Sequence, residues 1–256
     1  MDERAVPPET AEAEQYRCSV LDEPFFGGAL RFALARLGGV EGKRVVEIGC
    51  GEGGLAVFLA LGGATVVGVD RREDALERAR GLAARWRVAE RCTFLRGDAQ
   101  HLPLAAGAAD AVFSRSTLQY MDRERTLEEV LRVLRPGGAL VLMENLPHNP
   151  FIALYRLRRR LGARTPDEHA YLESIRGYLT PAEVERMGER FRTVAHREFH
   201  LCRMLTMALC QDPRRGAWAR WLDRAAARVD EVVLSRVPAS RRLAWFVAVV
   251  GEGKTG

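Results

Sequence analysis

The residues with the clearest chemical potential are Gly49, Gly51, Gly53 and Gly54, flanked by the acids Glu47 and Asp70, with a further acid at Asp98. Glycines directly after a strand let the backbone approach a ligand closely, and the helix N-terminus behind them offers unpaired N–H groups. Such a loop holds a nucleotide-like ligand. Its spacing, Gly49-x-Gly51-x-x-Gly54, fits the dinucleotide fingerprint, and Asp70 lies close to the distance expected of a ribose-binding acid. A nicotinamide-dependent dehydrogenase is therefore one reading. Glu47 points elsewhere, because an acid just ahead of the loop suits a cationic ligand and not a pyrophosphate.

These residues need strand ends and helix starts to hold them. From about residue 42 to 144 short β-branched runs alternate with helical patterns, which predicts βαβ units around a mostly parallel sheet. Strands are predicted over 44–48, 64–70, 92–96, 110–114 and 139–143. The first runs into the glycine loop and an apolar helix closed by Gly62-Gly63. Asp122 is placed to cap a helix whose Leu127, Val130, Leu131 and Leu134 form a stripe, stopped by Arg135-Pro136-Gly137-Gly138. After Asn145 the alternation ends. A basic helical stretch runs from Asn149-Pro150 to Leu161, and capping boxes stand at Thr165-Pro166-Asp167-Glu168 and Thr180-Pro181-Ala182-Glu183. A strand over 191–201, an amphipathic helix over 216–236 and a final apolar strand over 243–250 complete the chain.

The motifs together resemble those of the class I S-adenosylmethionine-dependent methyltransferases, in the ubiquinone/menaquinone-type or methyltransferase type 11 branch. Glu47-Ile48-Gly49-Cys50-Gly51-Glu52-Gly53 is similar to that family's acidic Gly-x-Gly-x-Gly motif, and S-adenosyl-L-methionine is the cation Glu47 would welcome. Asp70 matches the family's ribose acid, Gly97-Asp98-Ala99-Gln100 its adenine-side segment, and Leu131 to Gly138 the entry to strand five. The resemblance covers about residues 40 to 145. It implies S-adenosyl-L-methionine as cofactor, contacted by Glu47, Gly49, Cys50, Gly51, Gly53, Asp70, Arg71, Asp98, Ala99 and Ser114.

Methyl transfer from a sulfonium is a direct displacement, so alignment is the main task, and a base is needed only for an acceptor such as a hydroxyl. His148, just past strand five where open α/β sheets place ligands, is the first candidate for that base. Tyr120, after strand four, is the second catalytic candidate. Tyr16, Asn149, Tyr155 and His169 are expected to contact the acceptor. His196, Glu198 and His200 read as a partly exposed strand face. Glu144-Asn145 resembles the acid–Asn pair of metal-dependent catechol methyltransferases, but strand four ends in Ser114-Arg115 without the further acid, so no metal is expected.

The chain has 256 residues, 47% of them hydrophobic, enough for a sizeable core. No apolar run reaches the length of a membrane span, and the acidic start Met1-Asp2-Glu3 is unlike a signal or transit peptide, so a cytoplasmic protein is expected. Five dispersed cysteines without a C-x-x-C pair predict reduced thiols. The net charge of +5 comes almost wholly from arginine and forms no nucleic-acid footprint, so no DNA partner is expected. The expected fold is α/β: a Rossmann-like three-layer sandwich on a seven-stranded, mostly parallel sheet with the last strand antiparallel. Residues 1–41 form an N-terminal helical cap, 42–145 the cofactor-binding core, 146–180 a lid insertion, and 181–256 the rest of the sheet with a helical insertion. On the lid, Leu154, Leu157 and Leu161 share one face and arginines the rest. Trp218, Trp221, Leu222, Ala225, Val229 and Val232 form a stripe read as core or as the contact of a homodimer. The function expected is methylation of a hydroxyl or carboxylate oxygen of a small organic molecule. An N- or peptide-directed methyltransferase, a dehydrogenase and a non-catalytic S-adenosylmethionine-binding protein are the alternatives.

Overall fold

The computed structural model describes residues 8–162, 177–187, 189–206 and 216–254. Seven strands, β1 (Arg44–Ile48), β2 (Thr65–Asp70), β3 (Cys92–Arg96), β4 (Ala109–Arg115), β5 (Leu134–Asn145), β6 (Phe191–Phe199) and β7 (Phe246–Lys254), form one sheet in the order β3-β2-β1-β4-β5-β7-β6. The first five run parallel, and β7 lies antiparallel between β5 and β6. The inner strands are nearly unbroken runs of Val, Ile, Leu and Ala because both faces of the sheet are covered. Successive side chains alternate between two apolar clusters, Val45, Phe113, Val141 and Met143 in one and Val46, Ile48, Val112 and Leu142 in the other.

The helices are α1 (Pro8–Leu21), α2 (Gly27–Leu37), α3 (Gly54–Leu61), α4 (Glu73–Arg85), α5 (Arg123–Val133), α6 (Pro150–Gly162), α7 (Pro181–Met187) and α8 (Gly216–Arg236). Helix α3 is apolar on every side because it is enclosed by the sheet and its neighbours, with Leu55 through Ala60 all buried. Helix α4 buries Ala75, Leu76, Ala79 and Ala83, one face, and places Glu73 and Asp74 in its first turn, where the helix dipole favours acids. Asp122 caps α5 through the amides of Glu124 and Arg125. The box at Thr180 closes as predicted, with the Thr180 amide and hydroxyl both donating to Glu183 and the Glu183 amide donating to Thr180 Oγ1. The box at Thr165 lies outside the described residues. Helix α2 packs on β5, β6 and β7, and α1 lies across α2 and α3.

Several sequence expectations need correction. Residues 135–138 do stop α5, but as an irregularity within the β4–β5 ladder, between the pairs Ala109–Leu134 and Ala111–Ala139, rather than ahead of the strand. The last strand starts at Phe246, after a 3-10 turn over Pro238–Leu243. The tryptophan stripe of α8 is not core: Trp218, Trp221, Val229 and Val232 are largely exposed, while Ala219, Asp223, Asp230 and Leu234 are buried. The physical reason lies in the turn after β6. Asp230 accepts from the amides of Leu201, Cys202 and Arg203, and Asp223 takes the Arg203 guanidinium and the Thr206 hydroxyl. Satisfying those buried donors outweighs burying two tryptophans. On α6 likewise, Ile152 is buried while Leu154, Leu157 and Leu161 face outwards.

Candidate active site

The glycine loop joins the carboxyl end of β1 to α3 and is tied to the end of β2. The amides of Gly49 and Cys50 donate to Val69 O, and that of Gly51 donates to Asp70 Oδ2 at 2.9 Å. Gly49 has φ +67° and a Cβ there would stand 2.2 Å from Thr117 Cγ2, so no other residue fits. Gly51, at φ +51°, has open space where its Cβ would point. That space belongs to a cavity of about 490 Å³ walled by Gly49, Cys50, Gly51, Glu52, Gly54, Arg78, Leu82 and Arg115.

Glu47 lies beneath this loop. The strand alternation turns it toward the α2–α3 side, where it is 1% exposed, and its Oε2 is buried without a hydrogen-bond partner. Burial pushes its carboxyl up to about 8, against the pull of Arg115 and the Ala56 amide, with Asp70 adding to the rise. Asp70 uses each oxygen once, for the amides of Gly51 and Arg72, and each keeps a lone pair for a further donor such as a ribose hydroxyl. Asp98 holds Gln100 and pairs with Arg71 at 3.1 Å, and Ala99 beside it is buried. The orphaned Glu47 oxygen and the remaining lone pairs of Asp70 are acceptors just behind the cavity wall, and with the open face of Gly51 they suit an adenosyl group ending in positive charge.

A second cavity, about 340 Å³, adjoins the first. Tyr16, Ser19, Val20, Glu23, Phe26, Leu30, Gly54, Leu55, Arg115 and Met143 wall it, so Gly54 and Arg115 belong to both. Tyr16 enters from α1, stacks on Trp86 with ring centroids 4.5 Å apart, and donates to Gly54 O. Burial raises its phenol above the usual range. Glu23 accepts from the amides of Phe25 and Phe26.

The remaining expected site residues fall differently. Ser114 is buried at the end of β4, but its hydroxyl donates to Glu144 Oε1 at 2.7 Å, so its side chain belongs to the fold. Glu144 also accepts from the amides of Thr117 and Leu118. Burial pushes it up to about 7, opposed by those three donors. Asn149 is fully buried and engaged internally: its amide nitrogen donates to the carbonyls of His200, Leu201 and Leu243, and its Oδ1 accepts from Phe151 and Ile152. It caps α6 rather than reaching the cavities. His148 is exposed in the connection between β5 and α6, and neither it nor Tyr120 walls either cavity. The side chain of Tyr155 and all of His169 lie outside the described residues. His196 pairs with Glu198 at 2.6 Å on the exposed part of β6, whereas His200 lies past the strand, buried, stacked on Phe25 and bonded to Phe25 O. Sequence reasoning passed over Arg115. Its signal was a charged residue at the carboxyl end of an otherwise apolar strand.

Fold and loop together define a Rossmann-like domain with a glycine loop shaped for a nucleoside-like ligand. Residues 46–142 match the family described as "Methyltransferase domain". The chain belongs to the class I S-adenosylmethionine-dependent methyltransferases, of the type 11 branch, and its cofactor is S-adenosyl-L-methionine. It is 34% identical over 172 residues to the ubiquinone/menaquinone biosynthesis C-methyltransferase UbiE of Syntrophotalea carbinolica, covering 60% of this chain and 71% of that one. It is 41% identical over 111 residues to the fatty-acid O-methyltransferase of Mycolicibacterium smegmatis, covering 42% of this chain and 39% of that one. Against other curated relatives, too, the match spans only 40% or 34% of their length. The crystal structure of the MccD protein shares the fold, with a TM-score of 0.60 at 13% identity over 88% of this chain and 96% of that one. Membership sets aside the dehydrogenase alternative. Among the described residues no helix is long and apolar enough to cross a membrane.

Proposed function

We propose that the protein transfers the methyl group of S-adenosyl-L-methionine to an oxygen, hydroxyl or carboxylate, of a small organic acceptor. The observation that carries this reading is the shared wall at Gly54 and Arg115, which sets a second, largely apolar cavity directly against the one over the glycine loop. Relatives named as fatty-acid O-, sterol C- and quinone C-methyltransferases support a small acceptor and leave its reacting atom open. Oxygen is favoured here because Arg115, in the wall of the second cavity, offers charge and hydrogen bonds to an oxygen-bearing group.

When bound, the cofactor supplies a methyl carbon on a positively charged sulfur. The protein's own part is alignment, which can lower the barrier by roughly 7–11 kcal/mol. Asp70 and the loop amides fix the donor, Glu47 provides the negative charge beneath it, and α1 with the end of β4 fixes the acceptor. A thermal-unfolding scan tests the cofactor. S-adenosylhomocysteine at 100 times its dissociation constant adds roughly 2.7 kcal/mol, raising the midpoint by about 2–4 °C, and NADH has no effect. Transfer of labelled methyl from S-adenosylmethionine to a panel of phenols, alcohols and carboxylic acids tests the acceptor. Label found only on carbon or nitrogen would overturn the oxygen assignment.

A further inference from the structure

Arg115 has a position that the fold alone does not account for. In the body of the protein Arg78, Arg80, Arg123, Arg132 and Arg203 each hold a carboxylate. Arg115 is half-buried at the end of β4, its guanidinium 4.9 Å from the centroid of the Phe26 ring, and among the described residues no carboxylate lies within ion-pair distance of it. Its neighbour Glu47 is near enough to feel its charge but keeps an oxygen unpartnered. Of the described residues walling the cavity beneath α1 it is the only cation, and Glu23 and the Tyr16 hydroxyl there are already engaged by backbone. Ser19 is engaged likewise, its hydroxyl donating to Tyr16 O, and Val20, Phe26, Leu30, Leu55 and Met143 make the remaining side chains of that wall apolar. A guanidinium flanked by such walls is incompletely solvated, and its planar fork matches a carboxylate with two parallel hydrogen bonds.

We infer that Arg115 grips the carboxylate of the acceptor, which is an apolar carboxylic acid whose body lies under α1. This rests on the methyl-transfer reading above and narrows it. A lone pair of one carboxylate oxygen forms the new O–CH₃ bond while the S–CH₃ bond breaks and its electron pair returns to sulfur. The sulfonium becomes a neutral thioether, the carboxylate becomes a neutral ester, and no proton moves. No base is then required, and among the described residues no histidine walls either cavity. The ester has also lost the charge that Arg115 holds, which favours its release.

The test is calorimetric and needs no turnover. The protein is saturated with S-adenosylhomocysteine and titrated with octanoate, decanoate and 3-phenylpropanoate, each beside the alcohol of matching length. Wild type is expected to bind at least one acid more tightly than its alcohol. Arg115→Gln should weaken that acid on the order of 10- to 100-fold, the value of a charged hydrogen-bonded pair, leave the alcohol within about twofold, and affect S-adenosylhomocysteine less than the acid. Arg115→Lys, which keeps the charge without the fork, should fall between. Unchanged acid binding in Arg115→Gln overturns the inference. So does weakened S-adenosylhomocysteine with unaltered acid binding, which would assign the guanidinium to the amino-acid end of the cofactor. Wild type that binds S-adenosylhomocysteine but none of the acids overturns the inference alone, whereas failure to bind S-adenosylhomocysteine overturns the methyl-transfer reading beneath it.

Discussion

Glu47 combines full burial, a missing hydrogen-bond partner and a carboxyl pushed up to about 8, so in the ligand-free protein it holds its proton near neutrality. The unfolded chain releases that proton near 4.5 and the folded one near 8. Between those values the folded state binds more protons, so the contribution of Glu47 to stability is greatest at low pH and falls as pH rises through the window. Glu47→Gln is expected to gain in melting temperature relative to wild type as pH is raised from 5.5 to 8.5, a comparison that scanning calorimetry makes directly. Ligand binding should show the complementary sign. A sulfonium favours the ionised carboxylate, so S-adenosylmethionine binds wild type more tightly at pH 8.5 than at 6.5, with a smaller trend for S-adenosylhomocysteine, whose sulfur is uncharged, and a flattened one in Glu47→Gln. His148 makes a simpler case. It is exposed and outside both cavity walls, so His148→Ala should leave turnover of a carboxylate acceptor within about twofold. A loss of roughly 100-fold or more would instead identify it as a general base.

At the level of elements, Asn149 shows how one side chain can fasten three segments. Its amide joins the start of α6 to the carbonyls at 200–201 and 243, and its Oδ1 caps the helix. Asn149→Ala should cost about 2–3 kcal/mol of unfolding free energy, a lost cap plus unsatisfied buried groups, while the dissociation constant of S-adenosylhomocysteine stays the same. Denaturant titration and calorimetry separate the two. Its sequence setting, just before Pro150 and just after strand five, suited an acceptor contact equally well, because partners fifty to ninety residues away leave no local trace. Where partners are local the sequence was legible: the strands at 44–48 and 92–96, the Asp122 cap and the Thr180–Glu183 box all follow from residues within one turn or one alternation. The turn of the glycine loop was legible for the same reason, whereas the bond from its Gly51 amide to Asp70 joins residues distant in the chain. The buried face of α8 was not, because the donors that Asp223 and Asp230 satisfy lie in the turn at 200–206, well outside the helix's own pattern. Arg115 was missed because a strand-end arginine is informative only once α1 has folded over it.

Across the whole molecule, the two ends of the sheet are divided between function and stability. The strand order reverses direction between β1 and β4, and in open α/β sheets such a switch point opens a crevice at the carboxyl ends of the strands. Gly49, just after β1, and Asp70 and Arg115, the last residues of β2 and β4, stand at that end. At the opposite end, at the start of β4, Asp110 accepts from the backbone amide of Arg44 and from the guanidinium groups of Arg44 and Arg135, tying together β1, β4 and β5. Desolvation works to raise the Asp110 carboxyl, but these donors prevail and hold it below the ordinary value of 3.8. Its folded form therefore carries fewer protons than the unfolded chain under acid conditions. The stabilisation is present above about pH 4 and disappears as pH falls through the folded value. Asp110→Asn should lower stability by about 1–2 kcal/mol at pH 7, with the difference from wild type shrinking in acid. Cofactor affinity should not change, because the sheet spans the distance between this ion-paired end and the crevice. A matched loss of S-adenosylhomocysteine binding in Asp110→Asn, measured at a temperature where the variant is fully folded, would show instead that the two ends of the sheet are coupled.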